Sequence, residues 1–557
     1  MLKSKKNIII IATTLLALVV INVISNYLYQ RFDLTQDKRY TLSDDALKTV
    51  KNIDSPLIID VFLEGEFPSE FRRLRDETQQ LLEEFKVSSS HVKFEFINPL
   101  ADEKTRDQNI QQLAQRGLQP FQINIKESGK TSQEVIIPWA LASYNEQTVI
   151  IPLIKNKIGA TDQELVNGSI QNLEYVFAEA FKKLANPKQK KIAVLRGNGQ
   201  LKDVYVADFL KKMSEHYFLA PFTLDSVASN PQKTLSDISN YDLIISAKPS
   251  EPFSEEEKYV LDQYTMSGGK SLWLTESIVM DRDSLLNESG RGIAIMKDLN
   301  LNDFFFKYGV RVNPVIVNDL YSAPITLAVG EGSNSQFQPL QWPYSPLAAS
   351  NPNHPITTNL DPVKFDFASQ IDTLKNGVDK TILLRSSKLS KLQGVPRQIS
   401  LEVVTQKPNP EDYNEPNQTL AVLLEGEFTS VYDKRVKPFK ISQDKTRSRA
   451  TKMIVIADGD VIKNEVVRGQ PQELGFEFLT KRKFGNKEFL ENAVNYLLND
   501  DGLINLRTKE VKLAFLNTKK IEDEKTKWQF INIALPLVIL GVFGIVFNFF
   551  RRKKYTT

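Results

Sequence analysis

The 557 residues include no cysteine and only three histidines. The first absence excludes disulfides, zinc–thiolate sites, iron–sulfur ligation and thiol nucleophiles together, and it suits an oxidising compartment. His91, His216 and His354 stand far apart in the sequence, and none has a metal-ligand spacing. No metal, cofactor or catalytic residue is therefore expected. A large charge excess is also missing, since 71 basic against 68 acidic residues leave a net +3. Lys3, Lys5, Lys6 and Arg551, Arg552, Lys553, Lys554 exceed that surplus by themselves, with no acid among them. The body between these tips is slightly acidic and gives no electrostatic basis for binding nucleic acid. With 41% hydrophobic and 25% charged residues the body has the composition of a folded protein. Its length exceeds a single core, so two or three domains are expected.

Long apolar runs are confined to the two ends. From Ile8 to Ile24 the chain passes seventeen residues without a charge, interrupted by Thr13, Thr14 and Asn22 and followed by Tyr27 and Tyr29. This reads as a slightly short spanning helix over 7–27, behind a cytoplasmic tip over 1–6. A cleaved signal peptide would need a small-x-small site after the run, and none follows. Phe530 to Phe550 gives twenty-one uncharged residues behind Trp528, ended by the cations Arg551 to Lys554. That predicts a second transmembrane helix over 528–550 and a cytoplasmic tail over 551–557. Because Lys and Arg resist translocation, both tips are expected in the cytoplasm and the body on the opposite side. In a Gram-negative cell this is a two-pass inner-membrane protein with a periplasmic body.

Within the body, Ser43 precedes a short amphipathic series and reads as a helix N-cap. A strand over 57–63, a helix over 70–85 and a strand over 92–97 make a βαβ unit. A helix over 110–116 and strands over 121–125, 134–138 and 149–153 complete a first domain, 28–155, which resembles a thioredoxin-like α/β unit. Redox chemistry is excluded there by the missing dithiol. A helix over 161–184, opened by a Thr161 to Glu164 capping box, is expected to link two domains across 156–187. A second domain over 188–505 alternates strand 191–195, helix 204–217, strand 242–246, helix 255–267 and strand 271–275, the pattern of a mostly parallel sheet with helices on both faces. Six prolines between Pro339 and Pro362 predict a long irregular insertion. Strands are expected at 381–385, 399–405, 419–425 and 452–457, and a helix at 488–498. A connector over 506–527 leads to the last span.

Three short motifs bear on chemistry. Gly268, Gly269, Lys270 and Ser271 resemble the end of a phosphate loop, but Tyr264 stands where its first glycine belongs and a helix precedes instead of following. A glycine helix cap fits better. Gly197, Asn198, Gly199 and Gln200 follow a strand and precede a helix, the place of a dinucleotide fingerprint, but Lys202 occupies the third glycine position. This turn is a candidate ligand or interaction site at a topological switch point. Asp458, Gly459 and Asp460 read as a turn and lack the full spacing of a calcium loop.

Asp33-Leu34-Thr35, Arg39-Tyr40-Thr41-Leu42-Ser43 and the strand within Pro56 to Gly65, with an anchor at each end, resemble the auxiliary component lettered G of the gliding-motility ABC transporter of Bacteroidetes. The likeness runs along the whole chain. It implies an α/β protein of two exported domains between two transmembrane helices. The first would be thioredoxin-like and the second similar to class I glutamine amidotransferases. The Gly-His-Gly-Glu turn common in that second domain is here Gly197-Asn198-Gly199-Gln200, with amides in place of both ionisable members. The resemblance also implies an ABC permease subunit and a separate ATPase subunit as partners, together with gliding or secretion machinery in the periplasm. The expected function is a non-catalytic accessory subunit, and a membrane-tethered ligand-binding receptor is the alternative.

Overall fold

Ser43 caps helix α1 (Asp44–Lys51) as the sequence predicts, its hydroxyl accepting from Ala46 N at 3.2 Å. Strand β1 (Leu57–Val61), helix α2 (Ser69–Ser88) and strand β2 (Val92–Phe96) form the βαβ unit, with Leu57 beside Val92 in parallel register. Helix α3 (Arg106–Gln115) and the hairpin β3 (Phe121–Glu127) with β4 (Lys130–Ile136) follow, then β5 (Trp139–Tyr144) and β6 (Gln147–Pro152). The sheet order is β2-β1-β5-β6, with β5 antiparallel to β1 and β6 antiparallel to β5. Helix α4 (Asp162–Ala185) opens with the expected Thr161 to Glu164 box. It does more than link, because Leu165, Ile170, Leu173, Phe177 and Phe181 lie in the core of this first layer.

These elements come from a computed structural model that describes residues 13–20, 41–127, 130–155, 159–185, 188–330, 335–498, 503–508 and 518–555. The expected first span is helical at 13–20. The rest of 7–27, the expected cytoplasmic tip 1–6, the motif residues 33–35, 39 and 40, and 509–517 of the expected 506–527 connector lie outside the described residues.

The second sheet is built from β7 (Lys191–Arg196), helix α5 (Asp203–Ser214), β8 (Phe218–Thr223), helix α6 (Pro231–Ile238), β9 (Leu243–Ala247), helix α7 (Glu255–Met266) and β10 (Lys270–Leu274). Helix α8 (Asn302–Tyr308) and strands β11 (Ser322–Val329), β12 (Gln336–Ser350), β13 (Asp379–Arg385), β14 (Thr419–Gly426) and β15 (Thr451–Ile456) come next, before helix α9 (Asn486–Leu498). Its order is β11-β12-β13-β14-β15-β10-β9-β7-β8, and Val363–Lys364 adds a short strand on β12. Only the β15-β10-β9-β7-β8 side is parallel. The β11 to β14 side is antiparallel, so the sheet is mixed where the sequence suggested a mostly parallel one.

Alternate residues of β7 enter different cores. Ile192 and Val194 pack with Phe209 of α5 and Phe489 of α9, while Ala193 and Leu195 pack with Tyr259 of α7 and Phe304 of α8. Burial on both faces explains why the parallel strands are continuous apolar runs in the sequence. The proline-rich stretch differs from its expectation. Pro339, Pro343 and Pro346 lie inside β12, which pairs with β11 along 336–346, while its other side is bonded there through the carbonyls of Tyr344 and Pro346, accepting from Phe367 N at 2.8 Å and Phe365 N at 3.1 Å, and asks no proline for an N–H. A strand tolerates residues that lack an N–H where no bond needs that donor. The expected strand over 399–405 is likewise divided, into Arg397–Ser400 and the 3-10 turn Leu401–Thr405.

Past α9 the chain returns to the first layer. Leu503 and Leu506 enter its core, and Arg507 and Lys155 both pair with Glu488 of α9, the lysine at 2.8 Å. Helix α10 (Thr518–Tyr555) belongs to a separate compact unit, 510–557. Its Glu524–Lys553 portion is long and apolar enough to cross a membrane.

Candidate functional site

The chain leaves β7, adds β8 on one side of it and then β9 on the other, so the carboxyl ends of β7 and β9 flank a switch point, where α/β sheets commonly bind ligands. The turn 197–200 lies there. Gly197 and Gly199 have φ of 112° and 64°, in the region that favours glycine. A Cβ on Gly199 would stand 2.1 Å from Ser250 Oγ. The turn is stitched to the end of β9, because the Ser250 and Glu251 amides both donate to Asn198 O at 3.1 Å and Ser250 Oγ donates to Gly199 O at 2.9 Å.

The amides of the turn are largely occupied with one another and with α7. Asn198 N donates to Gln200 Oε1 at 2.8 Å, and Asn198 Nδ2 donates to Glu257 Oε2 at 3.1 Å. Glu257 is also the third residue of the Ser254 capping box, so the turn is fixed to the start of α7. Asn198 Oδ1 and Gln200 Nε2 are buried without a hydrogen-bond partner. Two cavities, of about 240 and 340 Å³, are not lined by the turn. One is lined by Lys190, Tyr241, Asp242, Tyr264 and Gly268 to Lys270, and the other by Val194, Arg196, Asp203, Leu210, Leu219 and Pro221.

Beside the turn, the carboxyl ends of β9, β10 and β15 meet in a buried ion network that sequence reasoning did not find. Lys248, directly after β9 and at φ 54°, places Nζ 3.2 Å from Glu276, 2.7 Å from Asp281 and 2.6 Å from Asp460. Glu276 also pairs with Lys297 at 2.8 Å and accepts from Gly459 N at 3.2 Å. Asp458 accepts from the amides of Asp366 at 2.6 Å and Asp460 at 2.7 Å, and Asp366 pairs with Arg282 at 2.7 Å. Lys364 closes the far side by holding Glu477 at 3.0 Å.

Burial disfavours the Lys248 ammonium, but Asp460, Glu276 and Asp281 outweigh it and hold the lysine charged far above its ordinary range. Burial, with the neighbouring charges of Asp460 and Glu276, pushes Asp458 well above the usual carboxylate range. The Asp366 amide that donates to Asp458 offsets part of that push. Glu276, Asp458 and Asp460 bring carboxylate oxygens within 4.8 Å of one another, close enough for a metal ion. The positive charge there is the Lys248 ammonium, bonded to two of the three. Asp458 to Asp460 forms the turn expected from its sequence, with Asp458 capping the 3-10 segment Gly459–Ile462. That group holds no histidine, and burial with Lys183 and Lys212 nearby lowers His216 to about 3.

The other glycine motif is also placed. Gly268, at φ 94°, ends α7 as a cap at the opposite edge of the sheet from the switch point, and Gly269 packs so closely on Tyr264 that a Cβ would lie 2.3 Å from its ring. Position 264 therefore serves packing and the helix stop.

Residues 189–493, more than half of the chain, match a family described as an ABC-type uncharacterized transport system. Residues 36–143 match a domain family of unknown function. An uncharacterized protein of Borreliella burgdorferi is 22% identical over 535 residues, covering 94% of each chain. The mmIFT52 N-terminal domain aligns with 56% of this chain and 99% of its own at 14% identity, with a TM-score of 0.32, too loose a likeness to bear on function. By the match over 189–493, the chain belongs to the family of auxiliary components of ABC-type transport systems.

Proposed function

We propose that this protein is a non-catalytic, membrane-anchored accessory subunit that couples an ABC permease and a separate ATPase to partners outside the cytoplasm, in a system linked to gliding motility. The observation that carries the non-catalytic part is the make-up of the switch point. Its turn bears amides where an acid–base pair would be needed, and the charged groups at the strand ends beside it are bound to one another in the Lys248 network. The first sheet's order, β2-β1-β5-β6, supports the thioredoxin-like reading of that layer, and the β8-β7-β9-β10 half of the second supports the amidotransferase-like one. We further propose two spans with both termini in the cytoplasm and the body in the periplasm. The basic residues at each tip support this topology.

One feature favours the receptor as a second reading. Asn198 Oδ1 and Gln200 Nε2, an acceptor and a donor, are buried without partners at the switch point. Affinity purification of the full chain from its native membranes, beside a variant lacking 528–557, separates the two. The accessory reading expects a permease and an ATPase with the intact chain and less of both with the truncation. Recovery of the chain alone, together with a ligand-induced rise in its melting temperature, would replace that reading with the receptor.

A further inference from the structure

The strongest local charge in the body is a single loop. Residues 433–452 carry eight basic side chains and two acidic ones, in a body that is otherwise acidic. The loop is built and held. It folds over α7, where the buried Asp262 accepts from Ser430 Oγ at 2.7 Å, Val431 N at 2.8 Å and Tyr308 OH at 2.8 Å. Gln263 bonds both the N–H and the carbonyl of Lys445, and Tyr259 packs its ring on Tyr432 and Phe439. Its cations are consequently presented on a fixed surface and not on a floppy tail.

Lys434, Lys440, Arg447 and Arg449 are all exposed, and among the described residues none of them is in an ion pair. Between Arg435 and Lys437 stands Val436, an apolar side chain 93% exposed. Unpaired cations around a projecting apolar residue suit one kind of surface, a bilayer with anionic headgroups, where the charges meet phosphate and the valine enters the headgroup boundary. The tether supplies proximity, because a protein held by an apolar helix of membrane length meets headgroups at high local concentration.

We propose that the 433–452 loop is a docking surface for anionic phospholipid headgroups. Lys434, Lys440, Arg447 and Arg449 provide the charge and Val436 the apolar contact. The absence of cysteine makes the test clean, since Val436→Cys carries the single thiol of the chain and takes one environment-sensitive fluorophore. The labelled full-length protein is reconstituted into phosphatidylcholine vesicles with and without phosphatidylglycerol.

The proposal expects a blue shift only with the anionic lipid, reversed by molar salt and absent when soluble glycerol phosphate is supplied to phosphatidylcholine vesicles. Each basic residue near an anionic surface contributes roughly fivefold in binding. The combined Lys434→Gln and Arg449→Gln variant should therefore need roughly 25-fold more anionic lipid surface for the same shift. Melting curves of that variant like those of the parent would show the loop still folded. An equal shift with both lipids, a shift with glycerol phosphate alone, or no shift at all would each overturn it.

Discussion

Replacing Lys248 by methionine removes the ammonium and keeps the length of the side chain, so the experiment isolates charge. In the intact protein Nζ holds Asp460 at 2.6 Å and Glu276 at 3.2 Å, and the lysine is 8% exposed. Without it these carboxylates remain in a buried setting with their central cation gone. Removing one partner of a buried pair costs about 3–5 kcal/mol. With an m-value near 3 kcal/mol/M in urea, that is a midpoint lower by about 1–1.7 M. The sign of the pH dependence follows. The folded-state pKa of Lys248 is raised, so its stabilisation is complete below its unfolded value and is lost only as pH rises beyond that range; between pH 5 and 8 it is constant. In the variant Asp460, already raised by burial, rises further, and a raised carboxyl loses stability as pH climbs through the window between its unfolded and folded values. The deficit should therefore be larger at pH 8 than at pH 5, and adding Asp460→Asn should recover part of it. Urea titrations of the full chain in detergent, followed by near-ultraviolet circular dichroism at both pH values, measure this. A loss below about 1 kcal/mol, or one that grows toward acid pH, would refute the reasoning.

Three further perturbations have defined signs. Gly199→Ala forces a side chain to φ 64° and toward Ser250 Oγ, and should cost about 1–3 kcal/mol in the same titration. Glu491 is pushed up to about 7 by burial and by Glu179 and Glu488 nearby. Folded protein thus keeps a proton that the unfolded chain releases, stability falls as pH rises from about 4.5 to 7, and Glu491→Gln should flatten that slope by about 2–3 kcal/mol. Glu488 is the opposite case, lowered to about 2 because Lys155 and Arg507 outweigh its burial. Its contribution is present above its unfolded value and is lost as pH falls toward 2, so Glu488→Gln should cost about 2 kcal/mol at pH 7 and almost nothing at pH 2, by thermal melts across that range.

What the sequence reveals here follows the reach of each interaction. The Thr161 to Glu164 box, the Gly268 stop and the Asp458 turn are set within four residues and were legible. The apolar strands of the parallel half were legible for a similar reason, since burial on both faces leaves an unbroken run. The Lys248 network was not, because its members follow three different strands and Lys248 and Asp460 stand 212 residues apart. Each looks like an ordinary loop charge until the order β15-β10-β9-β7 brings the strand ends together. A signal existed, as Lys248, Glu276 and Asp458 each follow an apolar strand within two residues, but sequence does not say which strands are neighbours. Pro339 to Pro346 misled for a physical reason, since proline excludes a strand only where a bond needs its missing N–H.

The central claim is that this chain works as part of a transporter and performs no catalysis itself. Its most direct test is ATP hydrolysis in the material that co-purifies with the tagged full chain from native membranes, compared with the chain purified alone after separate expression. The account predicts vanadate-sensitive hydrolysis in the first and none in the second. Hydrolysis by the isolated chain, or its absence from the co-purified material, would contradict it.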